Sequence, residues 1–288
     1  MELAKRVAVV TRTRNRPQFL LRAAESVRSQ TCQDFVWVVV NDGGERAGVD
    51  TIADQMRCSG MDVQVIHHDK CLGRGAAANS GITAAKSEFI AIHDDDDGWY
   101  PGFLDAGIAF LDSKSNFQAV VCGVDEIRER FNNGVFYIIS KKQFYPKLTR
   151  VFTVDLVTRN LFPPIAMLFR RSAYSAVGPF DVALPVLEDW EFNVRLAMAG
   201  DIGVISDTLA SYHVRVSESA NGDAGNSIVS ERHLHEEYTT ILHNRWVRQF
   251  MSTGLGPGGI LAISHLLKQH RLGRFIWWKW LVNKIVLR

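Results

Sequence analysis

Apolar positions in the first 125 residues follow two rhythms. Short continuous runs at Val7–Thr11, Phe35–Val40, Val63–Ile66 and Phe89–Ile92 predict strands buried on both faces, and Ala119–Cys122 predicts a fifth. Between them the spacing turns helical. Leu20, Ala23, Ala24 and Val27 share one face over Pro17–Arg28, and Ala76–Ala85 predicts a helix of small residues able to lie close to a sheet. Buried strands alternating with helices predict an α/β fold, a mostly parallel sheet covered by helices on both faces. In such sheets ligands bind beyond the carboxyl ends of the strands. The polar residues at those ends are therefore the first functional candidates: Arg12, Arg14 and Asn15, then Asn41 and Asp42, then Asp94, Asp95, Asp96 and Asp97.

The second half is less regular. Phe136–Ile139, Ile165–Phe169 and Asp201–Ser206 predict strands. Leu187–Met198 predicts a helix whose opening acids suit its dipole. Ser217–Ser227 reads as a loop, Glu231–Phe250 as a helix and Gly254–Gly259 as a linker.

Composition narrows the class. The chain has 288 residues, 47 % hydrophobic and 22 % charged, which excludes disorder and disulfide-scaffold classes. The formal charge of +2 conceals a split. No acid follows Glu237, so residues 238–288 carry +8 and residues 1–237 carry −6. Trp246, Trp277, Trp278 and Trp280 also lie in that basic end. Cys32, Cys58, Cys71 and Cys122 show no metal-binding spacing and read as reduced structural thiols of a cytosolic protein. The N-terminal residues lack a signal-peptide core, and no uncharged run reaches the roughly 18–20 residues of a spanning helix.

Four consecutive Asp after an apolar strand are costly, because like charges repel and buried carboxylates need compensation. A divalent cation with oxygen ligands would supply it; a solvated turn capping the helix near Pro101 is the plainer alternative. Phe89–Pro101 resembles the strand and DxD motif of inverting family 2 glycosyltransferases with the GT-A fold. Four further pieces agree in order. Val7–Pro17 resembles the family's first strand and Thr-Tyr-Asn-Arg turn, Ser26–Thr31 its helix end, and Val39–Gly44 its Val-Asp-Asp-Gly-Ser strand end. Phe169–Leu196 resembles its acceptor-side Glu-Asp region. The likeness covers roughly residues 5–216.

The resemblance implies a GT-A-like domain over 1–237, its nucleotide-binding half about 1–125 and its acceptor half about 126–237. Residues 238–288 follow as a basic, aromatic, helical C-terminal extension. It implies metal-dependent inverting transfer of a sugar from a nucleotide-sugar donor, UDP-linked by expectation, to a glycan or lipid-linked acceptor in cell-surface polysaccharide or glycoconjugate synthesis. Asp189 is the implied general base, with Glu188 positioning it or binding the acceptor. Asp96, Asp94, Asp97 and His213 are the implied ligands of Mn²⁺ or Mg²⁺. Arg12, Arg14, Asn15, Asp42, Arg74, Asp94 and Asp95 are the implied nucleotide-sugar contacts. Arg12 and Arg14 stand where the family more often has Pro and Tyr, so an Arg plane replaces an expected stacking ring. Asn41 replaces an Asp, and Ala78 replaces an Arg whose charge Arg74 could supply.

His67-His68 looks like a metal pair, but adjacent strand residues point to opposite faces. Residues 272–288 suit a membrane interface, helix packing or a homodimer. Nucleic acid is not expected, and the expected location is cytoplasmic, with the inner membrane face as an extension of it. The alternatives are a sugar-1-phosphate nucleotidyltransferase and a non-catalytic binding module. The first would need a Gly-rich phosphate loop after strand one, and Arg12–Arg16 contains no Gly.

Overall fold

The computed structural model describes residues 5–132, 134–144, 148–215 and 232–264. The expected loop Ser217–Ser227 and the aromatic tail 272–288 lie outside the described residues.

The chain opens with β1 (Val7–Thr13), α1 (Pro17–Arg28), β2 (Phe35–Asp42), α2 (Arg46–Cys58), β3 (Val63–His68), α3 (Arg74–Ala84) and β4 (Phe89–Asp94). These strands pair in parallel in the order β3-β2-β1-β4. Each extends past its apolar run by one or two polar residues. In β1 the ladder continues to Arg12, in register with Val40 and Asp94, and to Thr13, in register with Asn41. The sheet itself therefore lines up the candidate residues in one row. Pro17, whose missing N–H costs nothing at a helix start, begins α1. Leu20, Ala23, Ala24 and Val27 are all buried, as their spacing predicts. Helix α3 lies close to the sheet: a Cβ at Gly81 would stand 2.3 Å from Val10 Cγ1.

Next come β5 (Gly98–Trp99), α4 (Phe103–Ser113), β6 (Phe117–Asn132) and β7 (Val135–Phe144). They are followed by α5 (Thr153–Thr158), a 3₁₀ turn at Pro164–Ala166, β8 (Met167–Arg170), α6 (Arg171–Val177), α7 (Glu188–Ala199), β9 (Asp201–Arg215) and α8 (Arg232–Thr253). The full order is β3-β2-β1-β4-β8-β6-β9-β5, with β7 paired to β6. Strand β8 runs antiparallel to both β4 and β6, whereas β6 and β9 are parallel. The α/β reading holds, with a parallel first half and a mixed second half. The two halves share one sheet because β8 sits between β4 and β6.

Helix α7 packs Phe192 on Phe180 with ring centroids 4.3 Å apart, and α8 closes over it through Trp246, 5.7 Å from Trp190. The Gly254–Gly259 region is a short break, since residues 258–264 are helical again. Among the described residues no helix is long and apolar enough to cross a membrane. The cysteines are free thiols; Cys122 is buried, Cys32 half-buried, and Cys58 and Cys71 are exposed.

Candidate active site

The carboxyl ends of β1, β2 and β4 and the start of α7 border one cleft of about 600 Å³. Its wall includes Arg12, Arg14, Asp42, Arg74, Asp94, Asp96, Asp97, Glu188 and Asp189, nearly all from the candidate set. Asn15, Asp95 and His213 are not on that wall.

Asp95, in the turn after β4, points away from the cleft. Its side chain is fully buried, takes a 2.7 Å bond from Thr13 Oγ1 and is held by Arg16. It lies behind the wall, so the expected sugar-nucleotide contact is replaced by a structural one. Burial, with the charge of neighbouring Asp96, pushes its carboxyl up to about 6 despite Arg16. Asp96 faces the cleft and receives Arg215 (2.5 Å) and Arg16 (3.3 Å), both on Oδ2. Against the effect of burial, these arginines hold its carboxyl well below the usual range. Asp97 accepts the backbone N–H of His213 at 2.9 Å. Burial and the charges of Asp96 and Asp94 push it well above the usual range.

Arg12 is 6 % exposed. Its Nε and Nη2 donate to the two oxygens of Asp94 at 2.7 and 2.8 Å, and its Nη1 to Glu188 and the Arg74 carbonyl, both at 3.2 Å. These bonds engage the edge of the guanidinium, so a stacking role for Arg12 on the cleft wall would fall to its face. Arg14 is exposed at the cleft edge and keeps that option. Arg74 bonds the Pro185 carbonyl at 3.0 Å and lies 3.5 Å from Glu188.

Asp42 is drawn into its own loop. It accepts from His68 (2.8 Å), the backbone N–H groups of Leu72 (2.8 Å) and Gly73 (2.9 Å), and the Cys71 thiol (3.2 Å). Burial raises its pKa, but these bonds outweigh it and the carboxyl sits below its usual range. The residue shapes its side of the cleft through the 71–73 loop. Asn15, in the left-handed region at φ 55°, caps Glu45 N–H at 2.9 Å and is a turn residue. His67 and His68 diverge as expected, His67 to Asp50 and His68 to Asp42.

Asp189, at the start of α7, accepts Asn160 Nδ2 at 3.0 Å. Burial first, and the neighbouring Glu188 charge second, push its carboxyl up to about 6. A carboxylate there is a better proton acceptor near neutrality than an ordinary Asp. Glu188 is 2 % exposed, with Oε1 on Arg12 and Oε2 buried without a hydrogen bond.

The expected metal set is divided. His213 places Nδ1 on Glu129 at 2.8 Å and Nε2 on Ser211 at 3.1 Å. Among the described residues no three His, Cys, Asp or Glu side chains are arranged to cage an ion. The acids still fit a cation held by one or two carboxylates and a diphosphate, the usual Mg²⁺ or Mn²⁺ arrangement. Asp94, Asp96 and Asp97 offer such an all-oxygen set on the cleft wall.

Residues that the sequence did not mark complete the site. Glu129, 1 % exposed, takes two bonds from Arg22 at 2.9 Å and one from His213 at 2.8 Å. Arg22 in turn donates to the Asp96 carbonyl at 2.5 Å. Asn160, Phe144, Phe162 and Tyr212 finish the wall.

The profile described as "Glycosyl transferase family 2" matches residues 8–177. The uncharacterized glycosyltransferase YwdF of Bacillus subtilis is 27 % identical over 195 residues, 67 % of this chain and 68 % of that one. Two solved structures share the fold. S. aureus TarS 1–349 in complex with UDP-GlcNAc matches with a TM-score of 0.61 at 20 % identity, over 74 % of this chain and 60 % of that one. The mannosyltransferase PcManGT of Pyrobaculum calidifontis, in complex with GDP-Man and Mn²⁺, matches with a TM-score of 0.58 at 15 % identity, over 92 % and 81 %.

Proposed function

Because the chain belongs to glycosyl transferase family 2, we propose that it transfers a sugar, with inversion, from a nucleotide-sugar donor to an acceptor hydroxyl. That membership sets aside the nucleotidyltransferase and the binding-module alternatives. The reading rests above all on one relationship: Asp94, Asp96 and Asp97, at and just after the end of β4, and Glu188 and Asp189, at the start of α7, line the same cleft. Inverting displacement needs both groups, with charge compensation at the leaving diphosphate and a base on the opposite face of the sugar.

Asp189 takes the acceptor hydroxyl proton while that oxygen bonds the anomeric carbon and the carbon–phosphate oxygen bond breaks. The pair of electrons leaves with the nucleoside diphosphate. Asn160, bonded at 3.0 Å, fixes the orientation of Asp189. Glu188, tied to Arg12, keeps the start of α7 against the carboxyl end of β4. Arg14 faces the base, and Arg74 at the start of α3 faces the diphosphate, where helix N–H groups also favour an anion. Asp96, with Asp94 and Asp97 beside it, would hold Mn²⁺ or Mg²⁺, which would supply positive charge to the diphosphate. Family neighbours that bind UDP-GlcNAc, or GDP-Man with Mn²⁺, support a uridine or guanosine donor.

Residues 1–237 form the catalytic unit in this reading, with 238–288 an extension. A glycan or lipid-linked acceptor of a surface polysaccharide or glycoconjugate fits the cleft, with catalysis on the cytoplasmic side.

A panel of UDP- and GDP-sugars tests the donor claim by thermal shift with and without Mn²⁺. One donor should raise the melting temperature more with Mn²⁺, and Asp96→Asn should abolish the metal-dependent part. A chain that responds to no sugar nucleotide would not be the transferase described here.

A further inference from the structure

The hairpin of β6 and β7 presents a surface that the cleft does not use. Strand β7 hydrogen-bonds β6 and, among the described residues, no other strand. The register sets Tyr137 opposite Arg130 and Ser140 opposite Arg128, and directly opposed residues share a face. The other face is covered, since Phe131 and Phe136 pack on Phe19 of α1 with centroids 5.0 and 5.1 Å apart. A register shift between Arg128 and Glu129 adds an extra residue to β7. Around it, Tyr137 and Ile139 are 54 % and 51 % exposed, while Ile138, set opposite Glu129 on the other face, is 67 % exposed.

The charge on this surface has one sign near the tip. Arg128 and Arg130 are exposed, while Glu129 between them is 1 % exposed and turned to Arg22 and His213. Arg128 also reaches Glu126 at 3.1 Å, further down the hairpin. Exposed apolar side chains flanked by cations mark an interaction surface. A second copy paired along β7 would bring two sets of these cations together, whereas anionic headgroups neutralise them. Tyr and aliphatic side chains also suit the headgroup level, with Arg reaching outward. At its far end, β7 delivers Phe144 to the wall of the cleft.

We propose that the tip of the β6–β7 hairpin is a lipid-contact surface for anionic membranes, which would set the cleft at the membrane face. The proposal does not depend on the identity of the donor.

Co-sedimentation of the full chain with phosphatidylcholine vesicles, with and without phosphatidylglycerol, tests it. Binding should require the anionic lipid and weaken with salt. Arg128→Glu with Arg130→Glu, and separately Tyr137→Ser with Ile139→Ser, should each weaken binding at least about tenfold. The melting temperature and its response to donor should stay unchanged. If either pair melts lower, Tyr137→Ser alone, on the face of Arg130 and 54 % exposed, carries the test. Wild-type chain that ignores anionic vesicles, or variants that bind like wild type, would overturn the proposal. So would a wild-type dimer that the same variants convert to monomer without changing vesicle binding.

Discussion

Arg12 grips Asp94 at both carboxylate oxygens, at 2.7 and 2.8 Å, from a side chain only 6 % exposed. Its remaining reach, 3.2 Å to Glu188, ties the end of β4 to the start of α7. One buried cation therefore joins the two acidic groups of the cleft. Charge repulsion alone would drive them apart.

Arg12→Met leaves Glu188 buried beside an apolar side chain and Asp94 without its partner. Removing one member of a buried pair costs about 3–5 kcal/mol. Chemical denaturation should show a loss in that range, and Arg12→Lys, with one ammonium for two acidic groups, should restore only part of it.

Asp189 must be ionised to accept a proton. With its carboxyl up to about 6, transfer should fall as pH drops through that value. Glu188→Gln removes the charge that helps raise it, so the acid limb should move to lower pH. Asp189→Asn should retain donor binding and lose at least about 100-fold in turnover. A folded-state pKa above the unfolded one gives stability at low pH that is lost as pH rises through about 6. The Asn variant should therefore be no less stable than wild type at pH 8.

Asp42→Asn places an amide where the Leu72 and Gly73 N–H groups need an acceptor. The loss should be about 1–3 kcal/mol at neutral pH. Here the folded-state pKa is lowered, so the contribution is present above the ordinary carboxylate value and lost as pH falls below it. Denaturation curves of wild type and variant should converge below about pH 4.

Gly81→Ala sets two effects against each other. Alanine gains about 1 kcal/mol of helix propensity. The new methyl would lie 2.3 Å from Val10 Cγ1 and 3.1 Å from Val40 Cγ2, both branched residues fixed in the sheet. Overpacking of that kind costs about 1–3 kcal/mol, so a net loss is expected in thermal melts.

The parallel half was legible because its strands are buried on both faces and so appear as unbroken apolar runs. Helix α1 was legible because its inward stripe is continuous. Helix α2, with a narrow stripe of Val49, Ile52, Ala53 and Met56, passed unread between two strands. Strands β6 and β9 run far beyond their apolar cores because their outer parts alternate charged with apolar residues and find partners in each other. Within the cleft, residue types at strand ends were readable, but pairings were not. Asp95 and Asp96 look alike in sequence; only the fold brings Thr13 to one and Arg215 to the other, with Arg16 shared between them. Glu129 carried no signal, since it lies in a run of alternating charges and its partners come from α1 and β9.

That division between adjacent aspartates has a consequence for mutational tolerance. A substitution scan that records cellular abundance and catalytic output separately should sort neighbouring positions into different classes. Changes at Asp95, sealed behind the wall, should deplete the protein itself. Changes at Asp96, on the cleft side but also holding buried Arg215, should cost catalytic output beyond any loss of abundance.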